Sequence, residues 1–370
     1  MTTFIVMLDD PPAHGIRVAV KDCIDVAGVP STWGSKAVAD HAEPAPSDAA
    51  CLAGVRAAGA GIVGKTNLHE LCFGSTGVNP WFGTPRNPFG EHLVPGGSSS
   101  GSTVAVVTGE ADVGIGTDTT GSVRTPAAWC GAVGLRTTHG RVPLGGVAPL
   151  APSLDTVGPI ARDVRGVALG MSLLDPGFTA GDAPRVVGRV RLGADPIIEA
   201  AVDEALAAAE VEVVEVQVPG WDAAVAAGRT ILFGEAWLHL SHLYLERPDA
   251  IGAEVRGRFE LARQVTAAQL SRAWAAQAAW KEELAGLLQR VQVLALPTHR
   301  SFPPPIEERD TAPNDLAVPA ALASAPSLAM PVRTAGPIPA SLQLLGAPGS
   351  EEALVALGVV VEAAAGWSHG

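Results

Sequence analysis

Lysine is scarce in this sequence. The 370 residues include 25 lysines and arginines, but only four are lysines: Lys21, Lys36, Lys65 and Lys281. Arginine keeps its charge at any working pH, whereas a desolvated lysine can lose its proton and act as a base. Lys21 follows the apolar residues 18–20, a pattern that indicates a strand leading into the interior. Lys21 is therefore a candidate general base, and the alternative is a strand-end lysine with its ammonium group in solvent.

Cysteine and long apolar runs are also rare. The four cysteines are Cys23, Cys51, Cys72 and Cys130, and no two of them form a CxxC pair. This spacing argues against zinc ligation and a disulfide framework, and it favours the reducing cytoplasm. No apolar run approaches the length of a membrane span, and the N-terminal residues lack the pattern of a secretion signal. We therefore expect a cytoplasmic protein with no membrane contact, no metal and no cofactor.

Positive charge is in deficit, because the formal net charge is −13. Long-range repulsion of this sign argues against a broad nucleic-acid surface, although a local basic groove stays compatible with it. We therefore expect a small-molecule substrate and no nucleic-acid partner. The 42 glycines and 30 prolines stay below the content typical of disordered chains, and 47% of the residues are hydrophobic. This composition predicts a loop-rich globular enzyme with ample material for a core.

Strands and helices alternate along the first half of the chain. Apolar runs at residues 16–20, 61–64 and 111–116 predict strands, and residues 48–58 and 102–108 predict helices. This alternation indicates an α/β fold in which helices cover both faces of a sheet.

The second half has a different pattern. Residues 186–218 predict a further β-α-β unit, and residues 222–290 predict two or three alanine-rich helices without catalytic spacing. The tryptophans of those helices, Trp237, Trp274 and Trp280, are expected to be packing residues. The remaining elements predicted are strands at 291–296, 327–332 and 341–345, and a terminal helix at 351–364.

Two loops rich in small residues carry the chemistry. The Gly-Gly-Ser-Ser-Ser-Gly-Ser run at residues 96–102 could cradle a phosphate, but it lacks the ending of a P-loop and the GxGxxG pattern. In the second loop, residues 116–124, Ser122 follows a glycine-containing turn and precedes a predicted helix. Such a turn exposes the hydroxyl and directs successive backbone N–H groups toward one point, as an oxyanion hole requires.

A serine nucleophile needs a base. Histidine is the usual one, but neither His69 nor His139 lies in an arrangement with aspartate and serine, so both are expected to be structural. Lysine can take this role instead, as in the Ser-Lys variants of the catalytic triad. Lys21 is the lysine whose surroundings fit.

These segments together resemble the amidase signature family of Ser-cisSer-Lys hydrolases. The resemblance is carried by Lys21 in Val-Lys-Asp, by residues 96–102 and by Gly-Thr-Asp-Thr-Thr-Gly-Ser-Val-Arg at 116–124. Flanking segments at 61–67, 83–88, 130–135 and 154–159 agree, and the match is strong over about 15–165. The resemblance implies one amidase domain over residues 1–370, with a less typical helical segment at about 180–290 and C-terminal strands and a helix at 291–370. It also implies a large mixed, mostly parallel central sheet.

The resemblance also implies a role for each site residue. Ser122 would be the nucleophile, Ser98 the bridging serine in a cis peptide bond with Gly97, and Lys21 the base. The backbone N–H groups of Thr119, Thr120, Gly121 and Ser122 would hold the oxyanion. Cys72, Phe73 and Gly97 would line the acyl pocket.

Two features depart from the family pattern. Many members have glycine where this chain has Thr120, so the loop must keep that position at negative φ, because a β-branched residue tolerates positive φ poorly. Lys21 also lies close to the N-terminus, where relatives carry extra helices. Because those helices are associated with the family's usual dimerisation, the resemblance does not imply a homodimer here, and a homodimer stays an open alternative.

The expected function is hydrolysis of a small carboxamide through an acyl-enzyme. The short indole-acetamide-type amidases look most similar, so an aryl or arylalkyl amide is the expected substrate, with Trp81 and Trp129 available to bury its ring. Urea-derived or carbamate substrates, and the glutaminase subunit of an aminoacyl-tRNA amidotransferase, are the alternatives. Arg124 is expected to pair with Asp118 in preference to a substrate carboxylate.

Overall fold

A computed structural model describes residues 2–8, 15–179, 181–311 and 314–365 of the chain. In these residues the strands are β1 (Phe4–Met7), β2 (Arg17–Lys21), β3 (Gly61–Thr66), β4 (Val113–Asp118), β5 (Val133–Arg136), β6 (Thr156–Ala161), β7 (Val186–Val190), β8 (Glu212–Val216), β9 (Val293–Pro297), β10 (Ser327–Val332) and β11 (Ala340–Leu345). The helices are α1 (Lys36–Ala39), α2 (Ala53–Ala57), α3 (Ser100–Val107), α4 (Arg124–Cys130), α5 (Val164–Leu174), α6 (Pro196–Ala208), α7 (Trp221–Glu246), α8 (Ala253–Ala262), α9 (Ala267–Leu288), α10 (Val318–Leu322) and α11 (Glu351–Ala365).

The strands form one mixed sheet in the order β1-β3-β2-β4-β6-β5-β10-β11-β9-β7-β8. The α/β class and the mixed sheet are as predicted, but the expectation of a mostly parallel sheet is wrong. Of the ten pairings in the described residues, six are antiparallel and four are parallel. Strands such as β10 and β11 follow each other after a short loop, and a short connection reverses the chain, whereas a parallel pair needs a crossover.

The sheet brings two chemistry-bearing strand ends together. Strand β2 pairs in parallel with β4, so the carboxyl ends of both strands lie at the same edge. Lys21 ends β2 and Asp118 ends β4, and both side chains are fully buried. Open α/β sheets hold their sites beyond the carboxyl ends of their strands. We therefore expect the active site at this edge of the sheet.

Most predicted elements are present, but some ends differ and six elements were missed. The helix predicted at 48–58 is a 3₁₀ turn, Ala50–Leu52, followed by the short α2. The sequence did not predict β1, β5, β6, α1, α5 or α10. Strand β6 contains Gly158 and Pro159, which both disfavour strands, yet every residue of β6 is buried between β4 and β5. Burial in the sheet therefore outweighs local propensity there.

Between residues 221 and 288 lie α7, α8 and α9, which pack against one another and against α10. Trp221 and Trp280 meet edge to face at 5.6 Å, and the Trp280 indole donates a hydrogen bond to the Pro319 carbonyl at 2.8 Å. Trp280 and the partly buried Trp237 thus have the expected packing role, while Trp274 is 38% exposed. Within the described ranges, no helix is both long enough and apolar enough to cross a bilayer.

Candidate active site

Lys21 is buried and hydrogen-bonded to two hydroxyl groups. Its Nζ lies 2.6 Å from Ser98 Oγ and 2.8 Å from Thr117 Oγ1. The neighbouring Val18–Val20 run is wholly buried, so the strand carries the lysine into the interior. In the described part of the chain, no carboxylate forms an ion pair with Lys21. The solvent-exposed alternative for Lys21 is therefore wrong.

Ser98 lies in a loop that is held by backbone hydrogen bonds to two other segments of the chain. The Gly97–Ser98 peptide bond is cis, as expected from the resemblance. The Ser98 carbonyl accepts a hydrogen bond from the His69 N–H at 3.0 Å, and the Ser99 N–H donates to the Ser122 carbonyl at 3.0 Å. The second of these bonds joins the two serine-containing loops.

The turn that carries Ser122 is built around the buried carboxylate of Asp118. Its oxygens accept the Gly121 N–H at 2.8 Å and the Val123 N–H at 3.2 Å, and both bind Arg124, at 3.0 and 2.9 Å. Arg136 adds a contact at 3.1 Å. Burial alone would raise the pKa of Asp118, but the charges of Arg124 and Arg136 outweigh it and hold the pKa below its usual range.

Gly121 supplies the turn and does not supply an oxyanion donor. Its φ is 136°, a conformation that favours glycine, and a Cβ there would lie 2.9 Å from the Ala317 Cβ. Its N–H is engaged by Asp118, which removes Gly121 from the four predicted donors. The N–H groups of Thr119, Thr120 and Ser122 have no hydrogen bond within the described residues. Thr120 does not have positive φ, as expected for a β-branched residue.

Ser122 lies at the floor of a cleft and is 8% exposed. It precedes α4, whose first turn contains Pro126 and whose end is the left-handed Gly131. In the part of the chain that the structure describes, no hydrogen bond joins Ser122 Oγ to Ser98 Oγ. Catalytic hydrogen bonds often tighten only when substrate is bound.

The cleft over Ser122 is small, with a volume of about 60 Å³. It is lined by residues 72–75, by Thr119 and Thr120 beside Ser122, and by side chains from α7 and α8. Cys72 and Phe73 thus lie on the cleft as predicted. Phe73 also meets Phe233 of α7 edge to face at 5.4 Å.

Three predicted lining residues lie elsewhere. Gly97 is behind Ser98, where a Cβ would lie 2.7 Å from the Gly77 N, so its role is close backbone packing. The Trp81 indole donates to Glu70 Oε1 at 2.7 Å, and the ring of the buried Trp129 lies 4.4 Å from the His299 ring at an interplanar angle of 34°. These residues are near the serines in sequence, but in the described part of the chain they are not among the residues that line the cleft.

Cys72 links the cleft to the lysine. Its Sγ lies 3.9 Å from Thr117 Oγ1, and the Cys23 Sγ lies 3.7 Å from the same hydroxyl. A hydrogen bond from Cys23 lowers the pKa of Cys72, with a further contribution from the charge of Lys21. Burial raises the pKa of Cys23. Cys72 is thus the more acidic thiol of this pair.

The cations near the site differ from those expected. Arg124 is fully buried and its guanidinium is occupied by Asp118, Gln343 and the Ala317 carbonyl, so its predicted structural role is confirmed. Arg229 of α7 and Arg258 of α8 line the cleft instead. The sequence had no signal for them, because they lie more than 100 residues beyond Ser122 in helices without a motif.

A buried lysine bonded to one serine, with a second serine on a turn before a helix, is typical of hydrolases that use lysine as the base. A family model described as Amidase matches residues 7–176 and 188–355. The chain belongs to this amidase signature family and is an amide-hydrolysing enzyme.

Two relatives and one solved structure agree with this family assignment. The chain is 35% identical to a glutamyl-tRNA(Gln) amidotransferase subunit of Halobacterium salinarum, over 95% of this chain and 96% of that protein. It is 36% identical to "2-amino-5-chloromuconic acid deaminase" of Comamonas testosteroni, over 97% and 83%. A solved structure described as "Crystal structure of amidase" superposes with a TM-score of 0.87 at 32% identity, over 95% of this chain and 85% of that one.

Proposed function

We propose that this chain, acting as one amidase domain, hydrolyses a small carboxamide through an acyl-enzyme on Ser122. The observation that carries the proposal is the 2.6 Å contact between the buried Lys21 Nζ and Ser98 Oγ, next to the Ser122 turn. A buried amine in contact with a serine hydroxyl suits proton transfer, whereas a structural lysine is usually paired with a carboxylate.

In the proposed reaction, Ser122 Oγ attacks the amide carbon as its proton passes to Ser98 Oγ and the Ser98 proton passes to Lys21 Nζ. The carbonyl electron pair moves to oxygen, where the N–H groups of Thr119, Thr120 and Ser122 are placed as donors. Collapse breaks the C–N bond, and the leaving nitrogen takes the proton back through Ser98. Water then attacks the acyl carbon by the same relay and releases the carboxylic acid and free Ser122.

The lining of the cleft supports an apolar acyl group. Phe73 and Phe233 both line it and offer the contacts expected for an aryl or arylalkyl amide. We therefore propose an aryl or arylalkyl amide as the substrate, and urea-derived or carbamate compounds are the competing substrates.

A second candidate function is glutamine hydrolysis within an aminoacyl-tRNA amidotransferase complex. It is supported by the relative of that description in Halobacterium salinarum, which aligns along nearly its whole length. The net charge of −13 argues that this chain would leave tRNA contact to other subunits. Stable co-purification with such subunits, together with glutaminase activity, would favour this candidate over a free amidase or a homodimer.

A cytoplasmic location remains a prediction that four free, buried cysteines support.

Covalent labelling tests the proposal. A fluorophosphonate that reacts with the proposed nucleophile should add one adduct mass to the intact protein, and peptide mapping should locate it on Ser122. An adduct on Ser98 or Ser99 instead would overturn the assignment of the nucleophile. Loss of labelling after heat denaturation would show that the reaction depends on the folded site.

Replacing Lys21 with arginine is expected to be nearly as damaging as replacing it with alanine. Arginine keeps a positive charge but cannot accept the Ser98 proton, so kcat should fall by about 10²–10⁴ in both variants. Ammonia release from a reactive amide measures the effect. Lys36→Arg is the matched control, because Lys36 is 48% exposed and pairs with Asp40. A Lys21→Arg enzyme as active as the Lys36→Arg control would return Lys21 to a structural role.

A further inference from the structure

Two cysteines from distant parts of the chain meet beside Lys21. The Thr117 hydroxyl donates a hydrogen bond to Cys72 Sγ at 3.9 Å, and Cys23 Sγ lies 3.7 Å from the same oxygen. The Cys23 thiol also donates a hydrogen bond to the Cys72 sulfur. The same Thr117 oxygen accepts a hydrogen bond from Lys21 Nζ at 2.8 Å. One hydroxyl therefore joins both thiols to the proposed base.

Cys72 is the member of the pair that faces the cleft. It lines the cleft over Ser122 and is 6% exposed. Cys23 has no exposed surface, and it is not among the described residues that line the cleft. A small reagent that enters the cleft therefore meets Cys72, with Cys23 in contact with it on the buried side.

The backbone holds Cys72 in an unfavourable conformation. Its φ is 57° and that of the preceding Leu71 is 54°, in the left-handed region that residues other than glycine rarely adopt. The Leu71 N–H donates to the Trp33 carbonyl at 2.8 Å, and the Cys72 N–H donates to the His69 carbonyl at 3.0 Å. Such strain persists only where the surroundings enforce it, and it is concentrated at functional sites. The fold thus fixes the position of the Cys72 thiol at a cost in backbone energy.

The surroundings of Cys72 favour the thiolate, which is the form that reacts with oxidants. The hydrogen bond from Cys23 lowers the pKa of Cys72; burial opposes this effect, and the charge of Lys21 supports it. The other two cysteines differ, because burial raises the pKa of Cys51 to about 12 and also raises the pKa of Cys130. Neither of them is among the described residues that line the cleft. Cys72 is therefore the cysteine best placed for oxidation.

We propose that Cys72 is a redox modification site, where a hydroperoxide oxidises the thiol and Cys23 then closes a reversible disulfide that switches the enzyme off. With hydrogen peroxide, the Cys72 sulfur attacks one peroxide oxygen and the O–O bond breaks. A sulfenic acid forms, and the departing hydroxide takes the thiol proton and leaves as water. The Cys23 sulfur then attacks the Cys72 sulfur, the S–O bond breaks, and hydroxide leaves with the Cys23 proton as a second water. Two molecules of a thiol reductant restore both cysteines.

The disulfide changes the surroundings of Lys21. Two bonded sulfurs lie about 2.05 Å apart, so Cys23 and Cys72 must move toward each other. The Thr117 side chain contacts both sulfurs, so it shifts with them and its hydrogen bond to Lys21 is lost. Turnover should fall by about 10- to 100-fold, the usual effect of one hydrogen bond to a charged group. This loss of turnover rests on the proposed function, whereas formation of the disulfide does not.

Oxidation of the wild-type protein tests the inference. After treatment with hydrogen peroxide, the intact mass should fall by two hydrogen atoms, and peptide mapping should find Cys23 linked to Cys72. Activity should fall with the cross-linked fraction, and dithiothreitol should restore both the mass and the activity.

Single variants separate the roles of the cysteines, with each activity expressed relative to the same variant before oxidation. In Cys23→Ser the sulfenic acid has no partner, so dimedone should label Cys72. Longer exposure should carry Cys72 to the sulfinic acid, which dithiothreitol does not reduce. Cys72→Ala should keep its activity at the peroxide concentration that inactivates the wild type. Cys51→Ala is the matched control, because Cys51 is buried with a raised pKa, and it should respond as the wild type does.

The wild-type result alone decides the inference if a variant does not fold. Four free thiols after peroxide, or a cross-link or dimedone adduct at Cys51 or Cys130, overturns the redox site. A Cys23–Cys72 cross-link that leaves turnover unchanged overturns the switch and leaves the Ser122 mechanism standing. Equal inactivation of Cys72→Ala and the wild type contradicts it as well. Absence of Ser122 labelling and of all amide hydrolysis overturns the proposed function itself, and the mass of the oxidised protein still tests the disulfide.

Discussion

Replacing Ser122 with alanine is expected to lower kcat by about 10³–10⁶-fold while the fold remains intact, because the substitution removes the attacking atom. Ser122 is 8% exposed, on a turn held by Asp118, so the loss of one hydroxyl leaves the packing of the turn unchanged. Ammonia release measures kcat, and a thermal unfolding midpoint within a few degrees of wild type shows that the fold is retained.

The control for this variant is Ser172→Ala, on the exposed side of α5, where the hydroxyl donates to the Leu169 carbonyl of its own helix. That enzyme should keep wild-type kcat. Near-normal turnover in Ser122→Ala, or labelling of a different serine by the fluorophosphonate, would contradict the role proposed for Ser122. A loss in both variants would point to general damage instead of chemistry.

Replacing Asp118 with asparagine is expected to reduce the free energy of unfolding by about 3–5 kcal/mol, because it leaves two buried guanidinium groups without their counter-charge. Arg124, Arg136 and Asp118 are all fully buried. Urea denaturation of the purified proteins measures the difference. Because the same carboxylate orients the Gly121 and Val123 N–H groups, activity should fall with stability.

Asp112→Asn is the matched control, because it breaks a pair with Arg17 in which the side chains are 38% and 42% exposed. Exposed pairs of this kind contribute about 0–1 kcal/mol. Equal losses in the two variants would show that burial of the Asp118 cluster does not matter to stability.

The Asp118 effect has a definite pH dependence. The pKa of Asp118 is lowered in the folded protein, so its contribution to stability is present above the unfolded value of about 3.9 and is lost as the pH falls toward the folded value. The stability gap between wild type and Asp118→Asn should therefore be constant near neutrality and narrow below about pH 4. A gap that widens in acid would contradict the assignment of the shift to Asp118.

The local parts of the site could be predicted from the sequence. The pair of Arg124 with Asp118, the Ser122 turn and the negative φ of Thr120 depend on residues a few positions apart, so spacing and residue type are enough to predict them. The α/β class followed for the same reason, since alternating strand and helix patterns are local. Strand direction did not follow, because the connections that set it depend on how distant segments pair.

Neighbours in sequence were a poor guide to the cleft. Trp81 and Trp129 are close to the serines along the chain but pack against Glu70 and His299. The Gly121 N–H donates to the Asp118 carboxylate inside the turn. Each of these errors concerns the direction of a group, and direction depends on packing partners that no short window of sequence contains.

The sequence by itself determined which groups are proposed to react, because Lys21, Ser98 and Ser122 each belong to a short local motif. Only the tertiary structure decided what meets them. Phe73 makes edge-to-face contacts with Phe233 of α7 at 5.4 Å and with Phe259 of α8 at 5.5 Å. These contacts hold α7 and α8 beside the Ser122 turn. That packing brings two arginines to the cleft from more than 100 residues away. Apolar burial drives such contacts without regard to sequence distance, so the charge of the substrate pocket depends on the fold and not on any local motif.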